Sequence, residues 1–180
     1  MYICCMANHT GAGIIPYTIY QNKYHFILGK EIYKNTKHSD TGRYADFGGR
    51  KENNETPIAT AVRECFEESM GVFGNQPELR IKIRDKRTSK VGLSTYVAYF
   101  IFIPYSEDIV NIFDQIYGYA KKLYENSDAT EIPEGHFEMS GIKWFSEEDF
   151  IKNKKTFRQR AQRLILKFLH YNTSNNMDLK

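Results

Sequence analysis

Residues 49–68 read GRKENNETPIATAVRECFEE, and their punctuation is that of a loop running into a helix. Thr56 suits an N-cap, and Pro57 suits the first helical position, where a missing N–H costs nothing. Ile58, Ala61, Val62, Cys65 and Ser69 recur at spacings of three and four, which gives the helix one apolar or small face. Gly71, a residue that tolerates positive φ, is placed to stop it. On another side stand Glu64, Glu67 and Glu68 at i, i+3 and i+4, so their carboxylates share one face. Like charges at that spacing weaken an isolated helix, and a hard divalent cation with its preference for oxygen ligands is a fitting counterbalance. Arg63 precedes Glu67 by four residues and follows Glu55 by eight, so its guanidinium can clamp a carboxylate and pin the loop to the helix. For the three glutamates taken alone, a solvated acidic face remains the alternative.

Working upstream, Tyr44-Ala45-Asp46-Phe47-Gly48-Gly49 reads as a short strand ending at a glycine pair, where bare backbone can approach an ion or a phosphate. Residues 13–34 hold two apolar segments around Gln21-Asn22-Lys23, a β-hairpin, and 35–42 form a polar loop. Downstream, 79–88 (LRIKIRDKRT) alternate apolar and charged residues like a half-exposed strand. Residues 93–104 (LSTYVAYFIFIP) are apolar on both faces, which predicts a central strand with helices above and below. Val110–Tyr124 predicts a second helix with Ile112, Phe113, Ile116, Tyr119, Ala120 and Leu123 on one side. Residues 141–145 suggest a short strand, Phe157–Leu169 an amphipathic helix, and 172–180 a frayed polar tail. No repeat or linker divides the 180 residues, so the order of elements predicts one domain of α/β class.

Composition sets wider bounds. The chain is 41% hydrophobic and 26% charged, and its 12 Phe, 13 Tyr and single Trp predict an aromatic core. No apolar run approaches the roughly 20 residues that cross a bilayer, and the patch Met1–Met6 is short and lacks a basic flank. The expectation is a cytoplasmic, intracellular protein without a membrane partner. Cys4, Cys5 and Cys65 lack metal-type spacing and read as reduced thiols. A net charge of +3 suits a polyanionic substrate without demanding one, and no protein partner can be inferred. The richness in Asn and Lys hints at an AT-rich genome, such as a viral one.

Taken position by position, Gly49, five residues, Glu55, seven residues, then Arg63-Glu64-Cys65-Phe66-Glu67-Glu68 is similar to the Nudix box, G-x5-E-x7-R-E-U-x-E-E-x-G-U with U apolar. Every fixed position matches through Glu68; the glycine that follows is displaced by one, to Gly71, which predicts a helix one residue longer. The hairpin, the Phe47-Gly48-Gly49 approach and Trp144-Phe145-Ser146-Glu147-Glu148 also look like a Nudix domain, so the resemblance spans residues 10–170. It implies an α/β/α sandwich around a mixed β-sheet, and Mg²⁺ or Mn²⁺ as cofactor. It implies Glu64, Glu67, Glu68 and the Gly48 carbonyl as metal ligands, with Arg63, Glu55 and Gly49 holding the box in shape. The implied activity is that of a pyrophosphohydrolase, in which a metal-activated water attacks phosphorus in a diphosphate linkage.

The general base stays open between Glu64 and an acid of the loop 133–139, where Glu138 is preferred to Glu134; a solvated loop glutamate is the plain alternative for either. His136 reads more readily as surface than as catalyst. For substrate, Phe47-Gly48-Gly49 and Glu138-Met139 ahead of Trp144-Phe145 resemble members that sanitise purine triphosphates, which implies a nucleoside triphosphate or related nucleotide. A second reading is mRNA decapping on capped RNA. It rests on Arg158, Arg160, Arg163 and Lys167 with Lys152, Lys154 and Lys155, and on Arg80, Lys82, Arg84, Lys86, Arg87 and Lys90, although such charges also simply solvate a helix. A third is a catalytically inactive Nudix fold used for binding. That reading predicts losses among the three glutamates, and all three are present.

Overall fold

The hairpin read at 13–34 forms the spine of the sheet. In the computed structural model, which describes residues 9–32, 40–127 and 137–174, β1 (Gly11–Tyr20) and β2 (Lys23–Glu31) pair antiparallel with Tyr20 opposite Lys23. Gln21 and Asn22 between them take φ of 51° and 59°, the pair of left-handed residues whose twist suits a two-residue hairpin. Met1–Met6 with Cys4 and Cys5, most of the loop at 35–42, Pro133 to His136 (Glu134 included) and the tail from 175 lie outside the described residues.

Around the hairpin, β3 (Tyr44–Ala45), β4 (Phe47–Arg50), β5 (Ser89–Gly92), β6 (Tyr96–Phe102) and β7 (Met139–Ser146) complete a seven-stranded sheet. Its main order is β3-β2-β1-β6-β5, with β4 added to β1 and β7 to β2. The β1–β6 pair is parallel and the others antiparallel, so the sheet is mixed. β6 is buried along nearly its whole length, as a strand apolar on both faces should be.

Each face of the sheet has its own layer. On one side Ala12, Ile14, Ile27, Val97 and Tyr99 pack with Ala61, Val62 and Cys65 of α1 (Pro57–Glu68), Leu79 and Ile83 of α2 (Gln76–Ile83) and Phe113 of α3 (Asp108–Glu125). On the other, Ile15, Phe26, Leu28 and Phe100 pack with Phe150 of α4 (Glu147–Lys152) and Leu164, Ile165 and Phe168 of α5 (Gln159–Ser174). Phe168 stacks on Phe100 at 4.3 Å and meets Phe26 edge-on at 5.7 Å. Cutting back such a ring costs about 3–5 kcal/mol. The architecture is an α/β/α sandwich. No described helix is long and apolar enough to cross a membrane.

Three local expectations need correction. The stretch at 79–88 is not a strand: 79–83 complete α2 and 84–88 turn away from it, because Asn75 and Glu78 form a reciprocal capping box with Pro77 in the first turn. Its alternation conceals an i, i+4 pair: Leu79 and Ile83 are buried while Ile81 is 69% exposed. In α3 only Phe113 of the expected apolar stripe is buried; Ile112, Ile116, Tyr119 and Leu123 face outward, because the helix turns Tyr117 and Tyr124 toward the protein instead. The C-terminal helix does not fray at 172. Asn172 is buried, and its Nδ2 donates to the Phe168 carbonyl at 3.0 Å.

The end of α1 also differs. The helix stops at Glu68 with Ser69 as C-cap, and the next residue, Met70, takes φ of 52°, followed by Gly71 at 73°. The displaced glycine therefore does not lengthen the helix. The left-handed turn stays at position 70 and a methionine occupies it, against the crowding between Cβ and carbonyl that disfavours this region. Relief of that strain is measurable: Met70→Gly should exceed Met70→Ala in stability by about 1 kcal/mol. Equal urea midpoints for the two variants would remove the strain.

Candidate functional site

Arg63 is the hub of the stretch 49–68. Its Nε and Nη2 donate to Oε1 and Oε2 of Glu55 at 2.9 and 3.2 Å, a bidentate pair. Nη2 also donates to the Arg50 carbonyl at 3.0 Å, and Nη1 to Glu67 Oε2 at 3.2 Å. Glu64 Oε1 lies 3.0 Å from the same guanidinium. Glu55 further accepts from the Thr60 hydroxyl and the Glu52 backbone N–H, each at 3.0 Å. One side chain thus sews the loop after β4 onto α1. The Arg63 hydrogen bonds hold the Glu55 carboxyl down at about 2, although partial burial pushes the other way.

The glutamates line the helix beside the glycine pair. A Cβ on Gly49 would stand 2.5 Å from Glu64 Oε1, so the Glu64 carboxylate occupies the space a side chain would need. Burial raises the Glu64 carboxyl to about 7 against the pull of Arg63, with Glu67 and Glu138 adding to the rise. Glu68 is buried, and burial first, then the charges of Glu64, Asp46 and Glu138, drives its pKa well up. Its Oε2 has no hydrogen-bond partner. Glu138 reaches this group from just before β7, where its carbonyl accepts from the Ile32 N–H at 2.8 Å. Five acidic side chains from three separate stretches, Asp46, Glu64 with Glu67 and Glu68, and Glu138, share one electrostatic neighbourhood.

Among the described residues, no three His, Cys, Asp or Glu side chains already converge as the ligands of a metal ion would. Neighbouring carboxylates repel one another, and Glu64 and Glu67 turn to Arg63. The donor set nonetheless fits a hard divalent cation. It consists of oxygens alone, and the buried Glu68 Oε2 is an orphan whose burial costs energy until a cation or proton satisfies it.

Beneath the glutamates lies a network that the sequence reading missed. Asp46 is fully buried, accepts the Tyr96 hydroxyl at 2.5 Å on Oδ2, and accepts Arg160 Nε at 3.1 Å on Oδ1. Arg160 Nη2 donates to the Gly48 carbonyl at 3.0 Å, and its guanidinium lies 4.2 Å over the Tyr96 ring. Burial works against the Arg160 charge, but Asp46 and Tyr96 outweigh it and keep the group protonated. The three residues come from the β3–β4 junction, β6 and α5 and follow no motif spacing. The one signal was an aspartate set among the apolar residues of 44–47.

This corrects the basic stripe expected on α5. Arg160 turns inward, and Arg158 pairs with Glu31 at 2.6 Å and Asp40 at 3.3 Å. Arg163 and Lys167 stay exposed, with Lys167 donating to the Gly92 carbonyl at 3.0 Å. The cause is the buried acids Asp46 and Glu31, which need partners more than the solvent does.

No family model and no curated protein matches the chain by sequence. Solved structures are similar to it in fold. The NUDIX domain of NrtR from Shewanella oneidensis, complexed with ADP ribose, is similar with a TM-score of 0.52 at 13% identity, over 92% of this chain and 88% of that one. A bifunctional NMN adenylyltransferase/ADP ribose pyrophosphatase from Francisella tularensis, complexed with AMP and a Mn ion, gives 0.51 at 16% identity, over 92% of this chain and 42% of that one. The likeness is one of fold: the chain has the Nudix fold.

The Arg63–Glu55 pair has a pH signature. The folded pKa of Glu55 lies below its unfolded value, so its contribution is complete above about pH 5 and is lost as pH falls toward 2. Glu55→Gln should cost roughly 1–2 kcal/mol at neutral pH, allowing for solvent screening. Urea denaturation of the variant and the parent should converge as pH approaches 2. A constant gap across that range would show that the charge is not what stabilises the loop.

Proposed function

We propose that the chain is a Nudix pyrophosphohydrolase that cleaves a diphosphate linkage in a nucleoside-diphosphate-linked substrate, with nucleoside triphosphates as the first class to test. The observation that carries this reading is the gathering of Glu64, Glu67, Glu68 and Glu138 beside Gly48 and Gly49 on a Nudix fold. In it, Glu64, Glu67, Glu68 and the Gly48 carbonyl hold Mg²⁺ or Mn²⁺. Bound there, the cation supplies neutralisation of the diphosphate oxygens and a water of lowered pKa. Arg63 keeps Glu64 and Glu67 on one side of α1 and ties the loop of Gly49 to them. Glu138 accepts the proton of the attacking water, with Glu64 as the second candidate. The ligands of the two similar structures, ADP ribose in one and AMP with manganese in the other, extend the set of substrates to test.

The decapping alternative keeps Arg80, Arg84, Lys86 and Lys90 exposed near α2 but loses Arg158 and Arg160 to internal ion pairs. An inactive binding module has no observation in its favour while the glutamates are intact.

With Mg²⁺ or Mn²⁺ supplied, Glu67→Gln should lower turnover by roughly two to three orders of magnitude while thermal unfolding stays cooperative. Unchanged turnover in that variant would falsify the assignment. Nucleoside triphosphates, ADP ribose, dinucleoside polyphosphates and capped RNA assayed side by side settle the substrate. Release of a capped nucleoside diphosphate from RNA, with free triphosphates untouched, would overturn the nucleotide reading in favour of decapping.

A further inference from the structure

Helix α3 adds little to the core for its length. Of its 18 residues only Phe113 is buried outright, and Ile112, Tyr119 and Leu123 are 47, 68 and 54% exposed. Two of the aromatic residues it turns inward converge on a single ring. Phe137 meets Tyr117 and Tyr124 edge-on, with centroids 5.5 and 5.4 Å apart and interplanar angles of 76° and 83°. Tyr117 is itself stacked on Phe113 at 6.0 Å, which ties this clamp to the core.

Phe137 takes φ of 63°. A bulky side chain holds that conformation only where its surroundings impose it, and the two tyrosine edges are such an imposition. The left-handed residue sets the direction in which the chain leaves it. The next residue is Glu138, and Met139 then enters β7 opposite Glu31, beside a register irregularity in the pairing with β2. The backbone of Glu138 is therefore fixed on one side by the Ile32 hydrogen bond and on the other by the clamped ring.

We propose that Phe137, held by Tyr117 and Tyr124, is a positioning residue that keeps the Glu138 carboxylate over the Glu64–Glu68 face of α1. This inference rests on the hydrolase reading above. The clamp has no part in binding the nucleotide. Loosening it leaves Glu64, Glu67 and Glu68 in place and removes only the proton acceptor from its station, so kcat falls and KM does not. The clamp also gives α3 a function that its slight burial does not explain.

Phe137→Gly removes the ring and places at the left-handed position the one residue that adopts it freely, so the fold is not strained by the change. Its expected effect is a fall in kcat of roughly 10- to 100-fold with little change in KM. Tyr117→Leu/Tyr124→Leu should behave alike, and Tyr117→Phe/Tyr124→Phe, which keeps both rings, should retain the parental kcat. Combined with Glu138→Gln, Phe137→Gly should cause no further loss, since both changes act on one group. Backbone amide relaxation supplies a readout independent of turnover: the Glu138 order parameter should drop in Phe137→Gly while those of α1 hold.

A parental kcat in Phe137→Gly, a full additional loss on the Glu138→Gln background, or an unmoved Glu138 order parameter each overturns the clamp. If Glu67→Gln abolishes turnover while Glu138→Gln does not, the hydrolase reading stands and the positioning role falls. If Glu67→Gln is without effect, the hydrolase reading falls and takes the clamp's catalytic meaning with it.

Discussion

The bidentate pairing of Arg63 with Glu55 is the interaction on which the rest of the site depends. A guanidinium presents several donors in one plane, and here they are divided among the loop carboxylate, the Arg50 carbonyl and the helix glutamates. Without that cation, Glu64 and Glu67 would stand on one helix face with only each other for company. With it, acidic side chains can be concentrated at the edge of a folded sheet without driving it apart. A lysine could balance the charge but not the geometry, because a single ammonium cannot fork toward Glu55 while reaching a backbone carbonyl.

A second cation plays the corresponding part from below. Arg160 reaches from the far side of the sheet to Asp46, Gly48 and the Tyr96 ring, so β4 is held at Gly48 by one arginine and at Arg50 by another from the opposite layer. The position of the Gly48 carbonyl is thus a joint product of α1, β4, β6 and α5. This is how a sandwich, whose layers meet only through a sheet, makes a site that draws on every layer.

Much of the frame was legible in the chain. The hairpin of two apolar segments around a polar turn, the doubly apolar strand at 93–104 and the capped helix after Thr56 each announce themselves through local composition or capping chemistry, and local signals are what a sequence displays. The acid–arginine grouping inside 49–68 was legible for the same reason, since it is closed within one loop and one helix. What escaped depends on contact between remote segments. Arg158 and Arg160 look like any solvated arginines until buried acids 114 or more residues away claim them. The strand expected at 79–88 failed because three apolar residues at alternate positions fit either period, and the capping box upstream decides between them. The outward face of α3 was misjudged because Tyr117 and Tyr124 count as ambiguous residues until a partner such as Phe137 is seen.

The methionine at position 70 bears on how relatives of this fold are recognised at all. A signature written in residue letters demands glycine two places after the final glutamate, and this chain fails that letter. A signature written in backbone angles is satisfied, since Met70 turns left-handed where the glycine would. The two kinds of glycine in the stretch are therefore unequal under divergence. The one after the helix is required by a torsion, which another residue can adopt at a small fixed penalty. Gly49 is required by what stands beside it: the Glu64 carboxylate fills its side-chain space, so a larger residue there is accommodated only by displacing a glutamate of the site.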